Sequence, residues 1–424
     1  MSLTTELTKL EPKRLPLIPN YPPFRQWKKT TVEEMLGEKP INIYLHIPFC
    51  TQRCAFCYYK TVDLKERPEV EGYVATLCKE IEMVAKRFHL SHRQVASIYF
   101  GGGTPSLLKE HHFERLVECL HQNFRIENPQ FTVEAEPLTV SESKMNTLIK
   151  LKVNRLSMGV QSFCDDIIKL SGRGHDEKQA FRAIKIAQQA GDWSINIDLL
   201  SGLAGETEET WTRSVECALS TGVESITVYK MEAFSNTEFY KSGVREKTLE
   251  LPSDEQELKF MQYAMKQFEK VNYLPWSFFT FTKNGHYINQ YTKNIFQATD
   301  LYGFGASAYG VLGDTLLQNT SDLEKYTATV EAGEIPLARG YRLNSLEQMM
   351  REVLLEMKLL CLDLGDFQKR HGFKLESLCA PTLRQLELEG FISVSEKEIK
   401  LTSTGILYGD YVGQTLVDCL KKMC

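Results

Sequence analysis

The chain has 424 residues, of which 42% are apolar and 25% charged, with a formal net charge of −5. This is the profile of an ordinary globular protein with room for one large domain and an appendage. It excludes a sequence-independent nucleic-acid binder, which needs a basic face, and no apolar run approaches the length of a membrane span.

In chain order, residues 1–36 read as an irregular arm carrying Pro12, Pro16, Pro19, Pro22 and Pro23. The opening MSLTTELTKLEPKR has no hydrophobic signal core. From Pro40 onward, strand-like runs alternate with helical patterns. Strands are expected at Ile41–Ile47, Val95–Phe100, Phe131–Ala135, Arg155–Val160, Ser194–Leu200 and Ser225–Tyr229. Leu77, Ile81, Val84 and Phe88 mark one intervening amphipathic helix; Leu258, Met261, Met265 and Phe268 mark another over 255–271.

Six strands alternating with helices imply an α/β fold with a parallel sheet, whose strands should read as near-continuous apolar runs, as 195–203 largely does. The pattern leaves open whether the sheet is flat or curved into a barrel. In both forms functional residues gather at the carboxyl ends of the strands. The cysteine loop after the first strand and Gly101–Gly103 after the second fall there. So do Glu134 and Glu136, Gln161 and Asp198, on the third, fourth and fifth strands.

Beyond residue 343 the pattern changes to helices over 354–360, 381–389 and 404–420, with a hairpin over 390–401. Helices plus a two-stranded wing suggest a winged-helix-like module, and the acidic chain favours a lid or packing role over DNA binding. The expected organisation is an arm (1–36), a core (37–275), a connecting, substrate-side segment (276–343) and the C-terminal module (344–424).

Of eleven cysteines, Cys78, Cys119, Cys164, Cys217, Cys361, Cys379, Cys419 and Cys424 sit singly, mostly on apolar helical faces, and read as thiols of a reducing cytoplasm. Cys50-x3-Cys54-x2-Cys57 is different. Three thiolates from one loop leave one iron of a cubane cluster with an open position, which suits catalysis at the cluster. A structural zinc site closes with four ligands, often two cysteine pairs, and no second pair follows; His46 is a candidate fourth ligand but lies in a strand. Unrelated buried or redox cysteines are the third reading, and a disulfide is disfavoured by the local count of three.

The ordered set HIPFC-TQR-CAFC, YFGGGTPSLL, VEAEP, NRLSMGVQSF, GRGHD and NIDLLSGLAGET resembles the radical SAM superfamily. More narrowly, it is similar to the oxygen-independent coproporphyrinogen III oxidase-like family. Likeness continues through Gly303–Gly310 and covers roughly residues 40–424. The resemblance implies a partial (β/α)6 barrel with the C-terminal module, and a [4Fe–4S] cluster on Cys50, Cys54 and Cys57. S-adenosylmethionine would chelate the fourth iron, in one molecule or two, and an electron from a flavodoxin- or ferredoxin-type donor would break its sulfonium bond. The resulting 5′-deoxyadenosyl radical takes a hydrogen atom from a small-molecule substrate.

By match to the family pattern, Gly101, Gly102, Gly103 and Thr104 let the backbone approach the ligand's amino group. Gln161 and Asp198 would hold the ribose hydroxyls, and Arg173 the methionine carboxylate, for which its planar fork is suited. The plain alternatives are a solvated surface arginine and a hydrogen-bonded core carboxylate. Tyr44 would pack beside the cluster. Glu134 and Tyr59 are the candidate catalytic positions, and His175 is either a family position or an exposed histidine of no special role. Tyr59 stands where genuine oxidases carry a further cysteine. That departure points first to class C-like one-carbon transfer to a flat, unsaturated substrate lined by Trp276–Phe281 and Tyr287–Tyr291. Porphyrinogen or haem processing is the second reading, and a haem chaperone the third.

Overall fold

The computed structural model describes residues 12, 15–18, 20–29, 40–64 and 69–422. Most of the arm 1–36, with Pro19, lies outside these residues, as does Cys424. The six expected strands are present as β1 (Ile41–Ile47), β2 (Val95–Gly102), β3 (Gln130–Ala135), β4 (Arg155–Gln161), β5 (Ser194–Ser201) and β6 (Ser225–Lys230). They pair in that order, all parallel.

Crossover helices α1 (Val70–Arg87), α2 (Glu110–Asn123), α3 (Glu142–Lys150), α4 (Glu177–Ala190) and α5 (Glu208–Ser220) connect them, and α6 (Asp254–Lys270) follows β6. Their starts are written locally. The side chains of Ser141, Asp176, Thr207 and Ser253 each accept the N–H three residues on, which satisfies one of the free donors of a helix N-terminus.

The segment 276–343 does more than connect. With β7 (Tyr273–Ser277) it contributes β8 (Thr280–Lys283), antiparallel to β6. It also contributes β9 (Leu301–Phe304), a seventh parallel strand on the far side of β1. Strands β10 (Tyr309–Leu312), β11 (Thr315–Asn319) and β12 (Leu337–Arg342) extend that edge in antiparallel fashion. The result is an open 12-stranded sheet ending at β12 and β7, a partial barrel.

Side chains alternate across this sheet. The outward set, Ile41, Ile43, Leu45, Phe100, Val133, Leu156, Met158, Ile195 and Ile197, packs with Leu77, Ile81, Phe113, Leu116, Ile184 and Trp211 of the helices in the main hydrophobic core. The inward set is polar: Asn42, Tyr44 and His46; Ser97 and Tyr99; Thr132 and Glu134; Arg155 and Ser157; Asn196 and Asp198; Ser225 and Thr227. The inner face is a hydrogen-bonded network rather than an oily core. Asn196 alone joins Ser157, Asp198, Ser225 and Thr227 at 2.7–3.0 Å. The expected continuous apolar runs are therefore interrupted at every second residue, because a hollow barrel interior needs no apolar filling.

In the C-terminal module, a three-stranded sheet (Cys361–Asp363, Glu398–Leu401, Ile392–Val394) packs with helices Ser345–Glu356, Ala380–Leu388 and Gly409–Lys421. The single helix expected over 404–420 is two, Ser403–Leu407 and Gly409–Lys421, parted at Tyr408. Gly409 lies so close to Phe278 that a Cβ there would stand 2.7 Å from the ring. The described part of the arm is packed rather than loose: Trp27 is buried with Val311, Leu316 and Leu343. No described helix is long and apolar enough to cross a membrane.

Candidate cluster and nucleoside site

The cysteine loop is closed at its base. Phe49–Cys50 pairs in parallel with Val62–Asp63, so the chain leaves β1, carries the three cysteines and returns to its starting point. The loop is then tied from outside. Ala55 N–H donates to Ser171 O at 3.0 Å, Gln52 Nε2 to Gly172 O at 2.8 Å, and Phe239 N–H to Ala55 O at 3.0 Å. A turn between Cys54 and Cys57, closed by the Cys57 N–H on Cys54 O at 3.1 Å, orients the second and third thiols.

The glycine run after β2 packs directly beneath. Gly103 N–H donates to Ile47 O and Thr104 N–H to Phe49 O, both at 2.8 Å. A Cβ at Gly103 would lie 2.5 Å from Phe49 O and 3.0 Å from Cys50 Sγ. Gly102 has φ +117°, and a Cβ there would meet the His46 ring at 2.7 Å. These two positions require glycine for close approach and for the left-handed backbone.

The thiols suit a cluster with one iron for each. Thr104 Oγ1 points at Cys50 Sγ and Arg173 Nη1 at Cys54 Sγ, each at 3.6 Å. Burial pushes the Cys50 thiol up to about 11, so it ionises there only against a bound cation. Among the described residues, Glu71, His111 and His112 are the group of three ligand atoms lying within 4.8 Å of one another, so the cysteine sulfurs are spread wider. Thiolates on one tetrahedral zinc would stand roughly 3.8 Å apart. The Glu71 cluster itself is a capping arrangement: His112 Nδ1 accepts the Lys109 N–H at 3.1 Å, which leaves the proton on Nε2 facing Glu71. His46, the candidate fourth zinc ligand, has the Tyr44 hydroxyl 3.0 Å from its Nδ1 and a buried Nε2 with no partner, and burial lowers it to about 4.

Beyond the thiols, the candidate nucleoside residues line one side of the barrel mouth. Arg173 is half-buried, its side chain 10% exposed, rather than a solvated surface arginine; it bonds Gly159 O and lies 3.8 Å from Glu136 Oε1. Its Nε has no partner. Gln161 adopts φ +69° at a register shift between β4 and β5, which turns it out of the strand beside Gly159. Asp198 accepts from Asn196 Nδ2 at 2.8 Å and Ser157 Oγ at 3.3 Å; burial raises it to about 6 against the opposing pull of Arg155. Glu134 accepts from Tyr99 and from the Gly102 N–H, and burial raises it to about 7. His175 is buried rather than exposed, with Nε2 3.2 Å from Val160 O.

The aromatic residues separate into two groups. Tyr44, Tyr99 and Tyr291 form an inner stack, with Tyr99 and Tyr291 4.5 Å apart at 27°. Tyr59 sits on the rim, 48% exposed, stacked on Tyr58 at 4.3 Å, with Phe234 against Tyr58. Trp276 and Phe281 are buried and Tyr287 is exposed; of the two expected aromatic runs, Phe278 and Phe279 border the cavity beside Tyr229, and Tyr291 joins the tyrosine stack. A cavity between the mouth and the C-terminal module is lined by Tyr229, Lys230, Phe279 and Tyr408, with Leu15 and Leu17 of the arm across it. Sequence reading passed over Tyr99 and Arg155, although the two-residue alternation of β2 and β4 places both on the inner face.

The parallel partial barrel and its three-thiol loop define a class, and comparison with known proteins agrees. A family model described as the radical SAM superfamily matches residues 44–218. The heme chaperone HemW of Bacillus subtilis is 30% identical over 374 residues, covering 88% of this chain and 97% of that protein. The oxygen-independent coproporphyrinogen III oxidase of Pseudomonas aeruginosa is 28% identical over 401 residues, covering 87% and 83%. In fold, coproporphyrinogen III oxidase (HemN) from Escherichia coli matches with a TM-score of 0.80 at 24% identity, over 96% of this chain and 97% of that one. The chain belongs to the radical SAM superfamily, within its oxygen-independent coproporphyrinogen III oxidase-like family. Its cofactors are accordingly a [4Fe–4S] cluster and S-adenosylmethionine, and it is a radical SAM enzyme. The relatives favour porphyrin and haem chemistry over the class C-like methyl transfer first expected from Tyr59.

Proposed function

We propose that this enzyme acts on a tetrapyrrole, a porphyrinogen or haem, through hydrogen abstraction at the barrel mouth. One observation carries the reading: a flat tyrosine stack, Tyr44–Tyr99–Tyr291, runs along the inner wall beside the glycine run, in a chain whose relatives over most of its length handle tetrapyrroles. Stacked rings of this kind suit a flat haem, or the single pyrrole rings of a porphyrinogen, whose sp3 bridges keep the whole macrocycle from being planar.

The cluster and S-adenosylmethionine, when bound, supply the hydrogen-abstracting radical. The protein's share is binding and orientation. Arg173 would hold the methionine carboxylate, Gln161 and Asp198 would accept from the ribose hydroxyls, and the Gly101–Gly103 backbone and Glu134 would meet the amino group. Cys50, Cys54 and Cys57 would hold the three other irons. The aromatic rim at Tyr58, Tyr59 and Phe234 limits water at the mouth.

The test is anaerobic incubation of the reconstituted enzyme with dithionite, S-adenosylmethionine and either coproporphyrinogen III or haem. Consumption of the tetrapyrrole together with 5′-deoxyadenosine release supports the proposal. Stoichiometric haem binding without nucleoside cleavage would identify a chaperone. S-adenosylhomocysteine formed on an unsaturated acceptor, with neither tetrapyrrole bound nor changed, would restore the one-carbon transfer that Tyr59 suggested.

A further inference from the structure

The cysteine loop has a second exposed side, separate from the barrel mouth. Cys54 itself lines a surface groove, together with Arg53, Asn236, Glu238, Lys241 and Arg245. None of the residues assigned above to the nucleoside (Gly101–Gly103, Glu134, Gln161, Arg173, Asp198) borders it. A large molecule seated in this groove would therefore reach a cluster-ligating sulfur without obstructing substrate.

The groove is built rather than incidental. Arg53 Nη2 donates to both Cys57 O and Asn236 O at 3.1 Å, and Asn236 Nδ2 donates to Tyr58 O at 2.8 Å, which fixes the outer wall to the cysteine loop. The wall continues as a wide, π-helical turn over Tyr240–Arg245, a geometry frequent at functional sites. That turn presents Lys241 and Arg245 outward, with side chains 52% and 69% exposed. Three of the four charged residues lining the groove are basic, on a chain whose net charge is −5. Their contacts to Glu238 at 3.8 Å and Glu246 at 3.4 Å are exposed pairs, easily exchanged for a partner's carboxylates.

We infer that this groove is the docking face for the electron donor, an acidic, low-potential, one-electron-transfer protein. The inference rests on the radical SAM reading of the cysteine loop. Each 5′-deoxyadenosine formed consumes one electron: the donor is oxidised by one electron, and the sulfonium S–C5′ bond is reductively broken to release methionine. Opposite charge at the groove would steer the donor and set its register.

The experiment compares two reductants on the reconstituted full-length enzyme, small-molecule dithionite and enzymatically reduced flavodoxin. In the double variant Lys241→Glu/Arg245→Glu, dithionite-driven 5′-deoxyadenosine formation is expected to stay at the wild-type level. Flavodoxin-driven formation should fall on the order of tenfold at low salt. In the wild type, added salt should depress the flavodoxin-driven rate and leave the dithionite-driven one unchanged. Independently of turnover, carbodiimide should crosslink flavodoxin carboxylates to Lys241. Equal flavodoxin-driven rates in variant and wild type, or crosslinks confined to lysines away from this groove, would overturn the docking face. A wild-type protein that takes up no iron and no acid-labile sulfide on reconstitution, and forms no deoxyadenosine with dithionite, would instead overturn the cluster reading beneath it.

Discussion

The Tyr99 hydroxyl donates to Glu134 Oε1 at 2.7 Å, a bond between the inner faces of β2 and β3 that holds a carboxylate under the glycine run. The Gly102 N–H donates to its other oxygen at 3.0 Å. Even with both bonds, burial wins and the carboxyl titrates at about 7 instead of the ordinary 4.5. The folded chain thus binds more protons at Glu134 than the unfolded chain between those two values. Stability is highest below pH 4.5 on this account, falls as the pH rises, and stays lower above about 7. The Glu134→Gln variant lacks that slope. Between pH 5 and 8 the wild type should lose on the order of 3 kcal/mol relative to it, read as diverging melting temperatures. Parallel curves would mean that Glu134 is already ionised at pH 5.

The three loop cysteines should behave as a set. Replacing Cys50, Cys54 or Cys57 by alanine removes one of three iron ligands and should abolish S-adenosylmethionine cleavage, with iron and acid-labile sulfide falling in the reconstituted protein. Cys78→Ala and Cys217→Ala, on α1 and α5, should leave both unchanged. Full cleavage by the Cys54→Ala protein would show that the ligands had been misassigned.

Two glycines of opposite character test the close packing. In Gly103→Ala the new Cβ would meet the Phe49 carbonyl oxygen at 2.5 Å, so backbone must move against the Cys50 thiol. A cost on the order of 1–3 kcal/mol and reduced cluster retention are expected. Gly72→Ala, at an exposed position of α1 with nothing within 4 Å of the new methyl, should instead stabilise by roughly 0.5–1 kcal/mol, because helical glycine is entropically costly. Thermal melting and iron content of the two variants separate the cases.

Local signals explain what could be read in advance. β1 through β6 were visible because each carries outward Ile, Leu, Val or Phe between turn residues, and the thiol loop because its spacing is confined to eight consecutive positions, Cys50 to Cys57. β9 was not visible: only Leu301–Phe304, it becomes a strand by pairing with β1 across more than 250 residues of sequence. The groove at Lys241 was equally hidden, since its walls come from 53–55 and 235–245 and meet only in the fold. Tyr44 was expected beside the cluster by match to the family; the stacking of its ring on Tyr99 and Tyr291 was not legible, because it depends on a side chain 247 residues away.

Arg155 makes the sharpest case for the inner face. It is 2% exposed, and its Nε and Nη1 have no hydrogen-bond partner. The ionisable groups around it are Tyr99, Asp198, Tyr229 and Glu134. A buried guanidinium in that position holds two half-buried carboxyls toward their ionised forms, and it lowers both Asp198 and Glu134 against the effect of desolvation. Removing the charge in Arg155→Met should let both rise further, so that at pH 7 Asp198 carries a proton that competes with a ribose hydroxyl for the same oxygen. S-adenosylmethionine binding, followed by calorimetry without reductant, should weaken on the order of tenfold at pH 7. It should recover toward the wild-type value as the pH is raised to 8.5, because deprotonation then restores the acceptor. Arg155→Lys, which keeps the charge, should show a smaller loss with little pH dependence. A loss in Arg155→Met that is the same at both pH values would mean that the arginine acts by filling space rather than by its charge.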